Sequence, residues 1–305
     1  MPYFLGIDGG GSKTRCLLGD DSSILASGSS SGCNIVRVGE ACAQDSLTSA
    51  IHEACVQARI SAREITRTCL GAAGGVRPEI VAALRRIMTQ IVGGGVEITG
   101  DMQIAFEDAF GQAAGIIVIA GTGSIAYGRN SNGETARVGG WGYAVSDEGS
   151  GHWVGVEAVR AALHSRDRGE DSGLLGDLVR ALGVESFEEF IVGVNGDPMP
   201  DFSAFFPVVL SAAQAGDPVA REILSRAGCE LAKLAASIAR QLFFRNEREI
   251  TVATHGGVFG SSVEVRKSFA QSLQLLCPAA THLAQAIDPA RGALQLARTA
   301  GGSKS

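Results

Sequence analysis

The chain opens with three short apolar runs separated by turn residues, a pattern that predicts a β-meander at residues 3–7, 15–19 and 24–27. From residue 40 to residue 59, apolar positions recur every three or four residues, which is the period of an amphipathic helix. The rest of this half alternates between the two patterns. It predicts a strand at 66–71, a helix at 79–91 begun by Pro78, a strand at 96–99 and a helix at 102–110.

A second meander follows, with predicted strands at 115–120, 124–128 and 135–138 and with Asn132-Gly133 as a hairpin turn. Helical patterns dominate afterwards, at 152–165, 173–182, 187–192, 202–215, 219–244 and 263–277, interrupted by one strand at 250–254. A final helix is predicted at 289–298, followed by a frayed tail at 301–305.

The repeated order of meander, helix and strand predicts an internal duplication of α/β halves, with a boundary near residues 111–115. We therefore expect a first domain at residues 1–112 and a second at 113–288, which carries the helical insertions. A ligand cleft is expected between them.

Composition narrows the class of protein. With 305 residues, 45% of them hydrophobic, and a formal net charge of −6, the chain can bury a large core and is not expected to bind nucleic acid or an anionic membrane surface. The seven cysteines are scattered singly, unlike a disulfide framework or a zinc motif. The N-terminus does not resemble a signal peptide, and no apolar run reaches the roughly 20 residues of a membrane span. We expect a cytoplasmic protein.

Two glycine-rich loops occupy the same place in the two halves, after the first strand of each meander. The first reads Asp8-Gly9-Gly10-Gly11-Ser12-Lys13-Thr14, and the second Ala120-Gly121-Thr122-Gly123-Ser124. Such loops expose successive N–H groups and hydroxyls that can hold phosphate, although the first is not a Walker A loop. Standing alone, it could be a hairpin that is glycine-rich for steric reasons. The pair predicts two phosphate cradles around one polyphosphate.

The motifs DGGGSKT, AGTGS, GGWG and DEGSG, in this order, resemble those of the N-acetylglucosamine kinases and the wider BadF/BadG/BcrA/BcrD ATPase family. The resemblance covers nearly the whole chain and is strongest over residues 4–160. It implies an α/β fold of two ribonuclease-H-like (actin-like ATPase) domains with an interdomain cleft, each domain built on five strands. It also implies that the segment 289–305 closes the first domain by close packing of small residues.

The resemblance further implies an ATP-dependent kinase that phosphorylates the 6-hydroxyl of an amino sugar, most closely N-acetylglucosamine, with Mg²⁺ and as a homodimer. Glucosamine and N-acetylmuramate are nearby substrates. Asp8 would hold the nucleotide-borne Mg²⁺ through water. The implied ATP contacts are Gly10, Gly11, Ser12, Lys13, Thr14, Gly121, Thr122, Gly123 and the adenosine-loop glycines Gly256 and Gly257. A solvated Lys13 and a structural His255 remain alternatives.

Asp101 follows the strand at 96–99 and opens a helix, where a carboxylate can face a cleft or cap the helix. The resemblance makes Asp101 both a substrate contact and the general base that accepts the proton of the sugar 6-hydroxyl. The residue after this base is commonly alanine in the family, whereas this chain has Met102.

The segment Gly139-Gly140-Trp141-Gly142 precedes Asp147-Glu148-Gly149-Ser150-Gly151. An indole can pack on a pyranose, and a carboxylate can accept hydrogen bonds from ring hydroxyls. Trp141 as a core residue and Asp147 as a helix cap are the alternatives. The substrate contacts that the resemblance implies, besides Asp101, are Asn34, Ser124, Gly140, Trp141 and Asp147.

Two other functions fit the same resemblance. A BadF-type activator ATPase holds a bridging iron–sulfur cluster and needs a cysteine beside the second phosphate loop, where this chain has Ala120. A non-catalytic sugar sensor would not need Asp101 beside both loops, and the departure at Met102 leaves that alternative open.

Overall fold

The computed structural model describes residues 1–72, 77–170, 173–243, 249–283 and 285–299. It divides the chain into two compact units, Met1–Ala113 with Gln285–Ser305, and Ala114–Ala284. The predicted tail at 301–305 and the last residue of the predicted helix at 219–244 lie outside the described residues.

The strands of the described residues are β1 (Tyr3–Gly9), β2 (Lys13–Gly19), β3 (Ile24–Ser31), β4 (Ile65–Ala72), β5 (Gly95–Gly100), β6 (Gly115–Ala120), β7 (Ser124–Arg129), β8 (Thr135–Gly139), β9 (Ile250–His255) and β10 (Ala280–Leu283). The α-helices are α1 (Ile35–Val38), α2 (Glu40–Ala58), α3 (Pro78–Ile91), α4 (Asp101–Phe110), α5 (Gly151–Asp167), α6 (Leu174–Leu182), α7 (Phe187–Val194), α8 (Phe206–Gln214), α9 (Pro218–Leu242), α10 (Gly257–Ser261), α11 (Val263–Leu276) and α12 (Pro289–Thr299).

Each unit contains one five-stranded sheet, and the two sheets share one topology. Their orders are β3-β2-β1-β4-β5 and β8-β7-β6-β9-β10. In both, the first three strands form an antiparallel meander and the last two run parallel to the first strand. The α/β fold class and the duplication predicted from the sequence are confirmed.

The central strand β1 is buried on both faces, which explains its continuous apolar run. Leu5 and Ile7 join the core formed with α2 and α3, whereas Phe4 joins a smaller core formed with α4 and α12. Close packing of α12 requires glycine, because a Cβ on Gly292 would lie 1.9 Å from the Ile104 carbonyl oxygen of α4. The segment after residue 285 therefore completes the first unit.

Two predicted elements of the second unit need correction. The predicted helix at 202–215 is a 3₁₀-helix, Phe202–Phe205, followed by α8, because Pro207 can occupy only the first turn of an α-helix. The single strand predicted after residue 139 has a partner, β10, which pairs in parallel with β9. This edge strand has four residues, of which Thr281 and His282 are exposed, so it lacks the apolar pattern of a buried strand.

All seven cysteines are free thiols. Among the helices of the described residues, none is both long and apolar enough to cross a membrane.

Candidate functional site

The first glycine-rich loop joins β1 to β2 in a tight turn. The Gly10 N–H donates to the Lys13 carbonyl oxygen at 3.0 Å, and the Cys33 N–H donates to the Gly10 carbonyl oxygen at 3.2 Å. The side chains of Ser12 and Lys13 are exposed, and Gly11 is half-buried. The turn therefore presents backbone, the Ser12 hydroxyl and the Lys13 side chain to solvent.

Thr14 differs from the other residues predicted to contact phosphate. It is fully buried, and its hydroxyl donates to the Ser31 carbonyl oxygen of β3 at 2.8 Å. Its side chain thus connects the loop to β3 and is not accessible to a phosphate.

Asn34 lies in the segment that packs against this first loop. A Cβ on the nearby Gly32 would lie 2.2 Å from the Gly11 carbonyl oxygen, so glycine is required there for the close approach. Asn34 is the N-cap of α1, and its Oδ1 accepts a hydrogen bond from the Val36 N–H at 3.1 Å. The fold therefore places Asn34 beside the first glycine-rich loop.

Asp8 lies near the end of β1, in an electrostatically unusual position. Burial, together with the negative charges of Asp101 and Asp288, raises the pKa of Asp8 to about 7, and the Arg15 guanidinium opposes this rise. Two predicted functional carboxylates, Asp8 and Asp101, are thus brought together in the first unit. A carboxylate next to a phosphate-binding loop has the hard oxygen donors that Mg²⁺ prefers when phosphates supply its other ligands.

Asp101 is the first residue of α4, and its predicted role as a cap needs correction. Gly100 is the N-cap, and the Gln103 Oε1 accepts the Gly100 N–H at 2.8 Å. Asp101 Oδ1 instead accepts the Met102 N–H at 2.9 Å. Burial raises the pKa of Asp101, and this hydrogen bond partly opposes the rise. Since any residue except proline supplies that N–H, the departure at Met102 leaves the contact intact.

The second glycine-rich loop joins β6 to β7 and is anchored to the start of α5. The Gly121 N–H donates to the Gly123 carbonyl oxygen at 2.9 Å, and the Gly151 N–H donates to the Gly121 carbonyl oxygen at 2.8 Å. Thr122 is exposed, like Ser12 in the first loop. Ser124 is buried, and its hydroxyl donates to the Glu148 carbonyl oxygen at 2.8 Å. Its side chain therefore ties the loop to the DEGSG turn.

The predicted adenosine loop packs directly against the second glycine-rich loop. Gly256 has φ +105°, and a Cβ there would lie 2.3 Å from the Ala120 carbonyl oxygen. Gly257 is exposed and begins α10, and a Cβ there would meet no atom of the described residues within 4 Å. This side-by-side arrangement follows from the parallel pairing of β6 with β9, in which Ile119 lies opposite His255.

Asp147 is buried with one carboxylate oxygen unpartnered. Its backbone has φ +66°, which is uncommon for a residue other than glycine. Its Oδ2 lies 2.8 Å from where a Cβ on Gly123 would be, and its Oδ1 has no hydrogen-bond partner among the described residues. Burial raises the pKa of Asp147, while hydrogen bonds from the Ser124 and Gly142 backbone lower it. A buried acceptor without a partner, on backbone with positive φ, makes Asp147 a candidate ligand contact.

The structure removes the alternative role of Asp147 as a helix cap. Ser150 is the N-cap of α5, and its hydroxyl accepts the Trp153 N–H at 3.1 Å.

Trp141 projects from a loop that depends on glycine. Gly139, Gly140 and Gly142 all have positive φ, at +76°, +68° and +102°. Trp141 is 66% exposed, so it is not a core residue, and the Arg137 guanidinium stacks 4.1 Å from its ring centroid. An exposed indole held by a cation on one face is suited to packing against a sugar.

Two residues beside the site escaped the sequence analysis. Arg15 and Asp288 form an ion pair of 2.6 Å close enough to Asp8 to affect its pKa. Counting along the β1–β2 hairpin would place Arg15 opposite Asp8. Nothing in the local pattern around Asp288 indicates a partner that lies 273 residues away.

The family model for BadF/BadG/BcrA/BcrD ATPases matches residues 5–297 of this chain. Among curated proteins, an N-acetylmuramic acid/N-acetylglucosamine kinase of Clostridium acetobutylicum is 34% identical, over 98% of this chain and 99% of its own length. An N-acetyl-D-glucosamine kinase of Dictyostelium discoideum is 28% identical, over 96% of this chain and 97% of its own.

Solved structures are similar to this chain as well. A Chromobacterium violaceum protein, provisionally identified as an N-acetylglucosamine kinase, has a TM-score of 0.78 and 29% identity, covering 97% of this chain and 99% of its own. A ROK family glucokinase from Streptomyces griseus has a TM-score of 0.63 at 18% identity, covering 97% and 99%, and supports the fold alone. The match of the family model over nearly the whole chain shows that this protein belongs to the BadF/BadG/BcrA/BcrD ATPase family.

Proposed function

We propose that this protein is an ATP-dependent amino sugar kinase that transfers the γ-phosphoryl group of ATP to the 6-hydroxyl of N-acetylglucosamine. The observation that carries the proposal is Asp101, a buried carboxylate at the start of α4 close enough to Asp8 to influence its pKa. The two curated relatives named above are kinases of N-acetylglucosamine, one of them also of N-acetylmuramic acid. A glucosamine kinase of Vibrio cholerae is 26% identical, over 76% of this chain and 78% of its own length.

Asp101 would act as the general base. As the 6-hydroxyl oxygen attacks the γ-phosphorus, the bond to the ADP oxygen breaks, and Asp101 takes the hydroxyl proton. A raised pKa suits this role, because a more basic carboxylate accepts a proton more readily at neutral pH. The Met102 N–H fixes the carboxylate by bonding one of its oxygens.

The two glycine-rich loops would bind the ATP phosphates through backbone N–H groups and the exposed hydroxyls of Ser12 and Thr122. Gly256 and Gly257 would lie along the adenosine, where the absence of a side chain allows close approach. Asp8 would hold the magnesium ion of Mg-ATP, which neutralises phosphate charge during transfer.

Asn34, Ser124, Gly140, Trp141 and Asp147 are the proposed sugar contacts. Of these, the unpartnered Oδ1 of Asp147 is the clearest acceptor for a ring hydroxyl, and Trp141 is the clearest stacking surface. The side chain of Ser124 is bonded to Glu148, so its contribution would come from the backbone.

Measurement of ADP release with N-acetylglucosamine, glucosamine and N-acetylmuramate, with mass analysis of the products, tests the proposal. We expect sugar-stimulated ATP turnover and a 6-phosphate, with the highest kcat/KM for N-acetylglucosamine. ATP hydrolysis without a phosphosugar from any of the three would contradict the kinase assignment. We further propose that the protein is cytoplasmic and forms a homodimer. Light scattering during gel filtration tests the oligomeric state.

A further inference from the structure

Asp8 and Arg15 occupy directly opposed positions in the β1–β2 hairpin. Opposed residues of an antiparallel pair project from the same face of the sheet, with Cβ atoms about 4.5–5.5 Å apart, and opposite charges there attract each other. Arg15 nevertheless forms no ion pair with Asp8 among the described residues.

Asp288 holds the Arg15 guanidinium instead. Arg15 Nη1 donates to Asp288 Oδ1 at 2.6 Å. Asp288 immediately precedes α12, and its carbonyl oxygen accepts the Arg291 N–H at 2.9 Å, so the first turn of that helix fixes its backbone.

A second carboxylate secures Asp288. The Asp288 N–H donates to Asp108 Oδ2 at 2.7 Å. Asp108 lies in α4, its side chain is 1% exposed, and it accepts from Nε and Nη2 of Arg291 at 2.5 and 2.9 Å. The Asp288 side chain therefore extends from backbone that is rigidly attached to the core of the first unit.

This arrangement determines what the Asp8 oxygens can bind. A guanidinium paired with a carboxylate occupies its oxygens through charge-assisted hydrogen bonds. A magnesium ion, or the water that it carries, needs those same oxygens and their negative charge. With Arg15 paired to Asp288, the oxygens of Asp8 remain open to the ion.

We propose that Asp288 is a positioning residue of the nucleotide site, which holds Arg15 away from Asp8 so that the Asp8 carboxylate stays available to the magnesium ion of the nucleotide. The inference rests on the proposed function and adds to it a residue that would touch neither nucleotide nor sugar.

Calorimetric titration with ADP, in Mg²⁺ and in EDTA, tests the inference without turnover. Its readout is the ratio of the Kd in EDTA to the Kd in Mg²⁺. Asp288→Asn keeps the N–H that bonds Asp108 but frees Arg15 to pair with Asp8, and this ratio should fall on the order of tenfold. Arg15→Gln should leave the ratio at or above the wild-type value, because it removes the competing cation.

The double variant Arg15→Gln/Asp288→Asn distinguishes positioning from a general structural role. If Asp288 acts by restraining Arg15, the double variant should return to within about twofold of the wild-type ratio, since no guanidinium is left to restrain. A double variant as impaired as Asp288→Asn would overturn the inference.

Glu40→Gln provides the matched control, because it removes one carboxylate from an exposed ion pair with Arg86 in the same unit. It should leave the ratio unchanged, and circular dichroism melts should confirm that every variant is folded. A wild-type protein whose ADP affinity gains nothing from Mg²⁺ would contradict the proposed function itself. A wild-type gain with identical ratios in all variants would contradict this inference alone.

Discussion

The two units share one strand topology, but they place different chemistry after the corresponding strand. In the first unit, β1 ends at Asp8 and Gly9, and carboxylates gather around the loop. In the second, β6 ends at Ala120, and the loop is surrounded by backbone, by glycines with positive φ and by one buried carboxylate, Asp147. The topology fixes where each loop lies, whereas individual side chains decide whether carboxylates or backbone groups surround it.

The sharpest test of this contrast is Asp101→Asn, which removes the proposed base from the first unit. A positioned base contributes about 10²–10⁴ in rate, so kcat should fall by that factor while ADP affinity persists.

The activity of the wild type should fall as pH is lowered through the raised pKa of Asp101, because only the ionised carboxylate accepts a proton. This limb of the pH profile of kcat should be lost in the variant. Retention of activity within a few-fold of wild type would remove Asp101 from the mechanism.

The second prediction concerns how the carboxylates of the first unit are anchored. Arg291→Ala would leave the Asp108 carboxylate, which is 1% exposed, with the Asp288 N–H but no cation. An uncompensated buried charge is costly, and we expect a loss of about 3 kcal/mol in the free energy of unfolding.

Urea denaturation measures this loss, and Arg180→Ala in α6 is the matched control. Arg180 pairs with Asp177 at the surface, so its removal should cost less than about 1 kcal/mol. Equal effects of the two substitutions would mean that the Asp108–Arg291 pair is no more than another surface ion pair.

The third prediction addresses the one buried carboxylate among the proposed contacts of the second unit. Asp147→Asn keeps the shape, tolerates the positive φ and removes a poorly solvated charge. The sugar KM should rise about tenfold, as expected for a lost hydrogen bond to a charged acceptor, with little change in the KM for ATP.

The same variant should be as stable as wild type at neutral pH, or more stable by up to about 1 kcal/mol. Because the pKa of Asp147 is raised on folding, the folded state binds more protons than the unfolded state above the ordinary carboxyl pKa. Wild-type stability should therefore fall as pH rises through this window, and the variant should lack that fall. Thermal melts between pH 4 and pH 8 measure the difference, and a variant less stable at every pH would refute the argument.

Much of this architecture could be predicted from the sequence, because apolar periodicity and glycine clusters can be recognised within short segments of the chain. The meanders, the long helices and both glycine-rich loops lie where apolar periodicity and glycine clusters place them. The edge strand β10 could not be predicted, since two of its four residues are polar and exposed and its only described partner in the sheet is β9. Short edge strands carry little signal of their own.

The positions of the candidate site residues in the fold could be predicted to a similar degree. Asp8, Asp101 and the two loops lie at strand ends, where sequence motifs locate them. The ion pair of Arg15 with Asp288 depends on α12 returning to the first sheet from the far end of the chain. The positive φ of Asp147 and the close approach of its carboxylate to Gly123 likewise have no signal in the local sequence.

The smallest expected effect, in Gly121→Ala, tests whether the backbone of the second glycine-rich loop lies against the nucleotide. A Cβ on Gly121 meets no atom of the described residues within 4 Å, so the fold has room for it. Replacing glycine by alanine at such a position stabilises a protein by about 0.4–1 kcal/mol, because it restricts the unfolded chain. A phosphate lying against the loop would meet the added methyl group, however, and ADP should bind about fivefold more weakly, as in mild overpacking.

Gly176→Ala in α6 is the control, since its Cβ would approach only the flexible end of Arg180, at 3.5 Å. Calorimetry and thermal melts should therefore separate the two variants, with stability kept in both and ADP affinity lowered only in Gly121→Ala. Unchanged affinity in Gly121→Ala would mean that the second loop does not touch the nucleotide, and the contrast between the two units would lose its backbone-binding half.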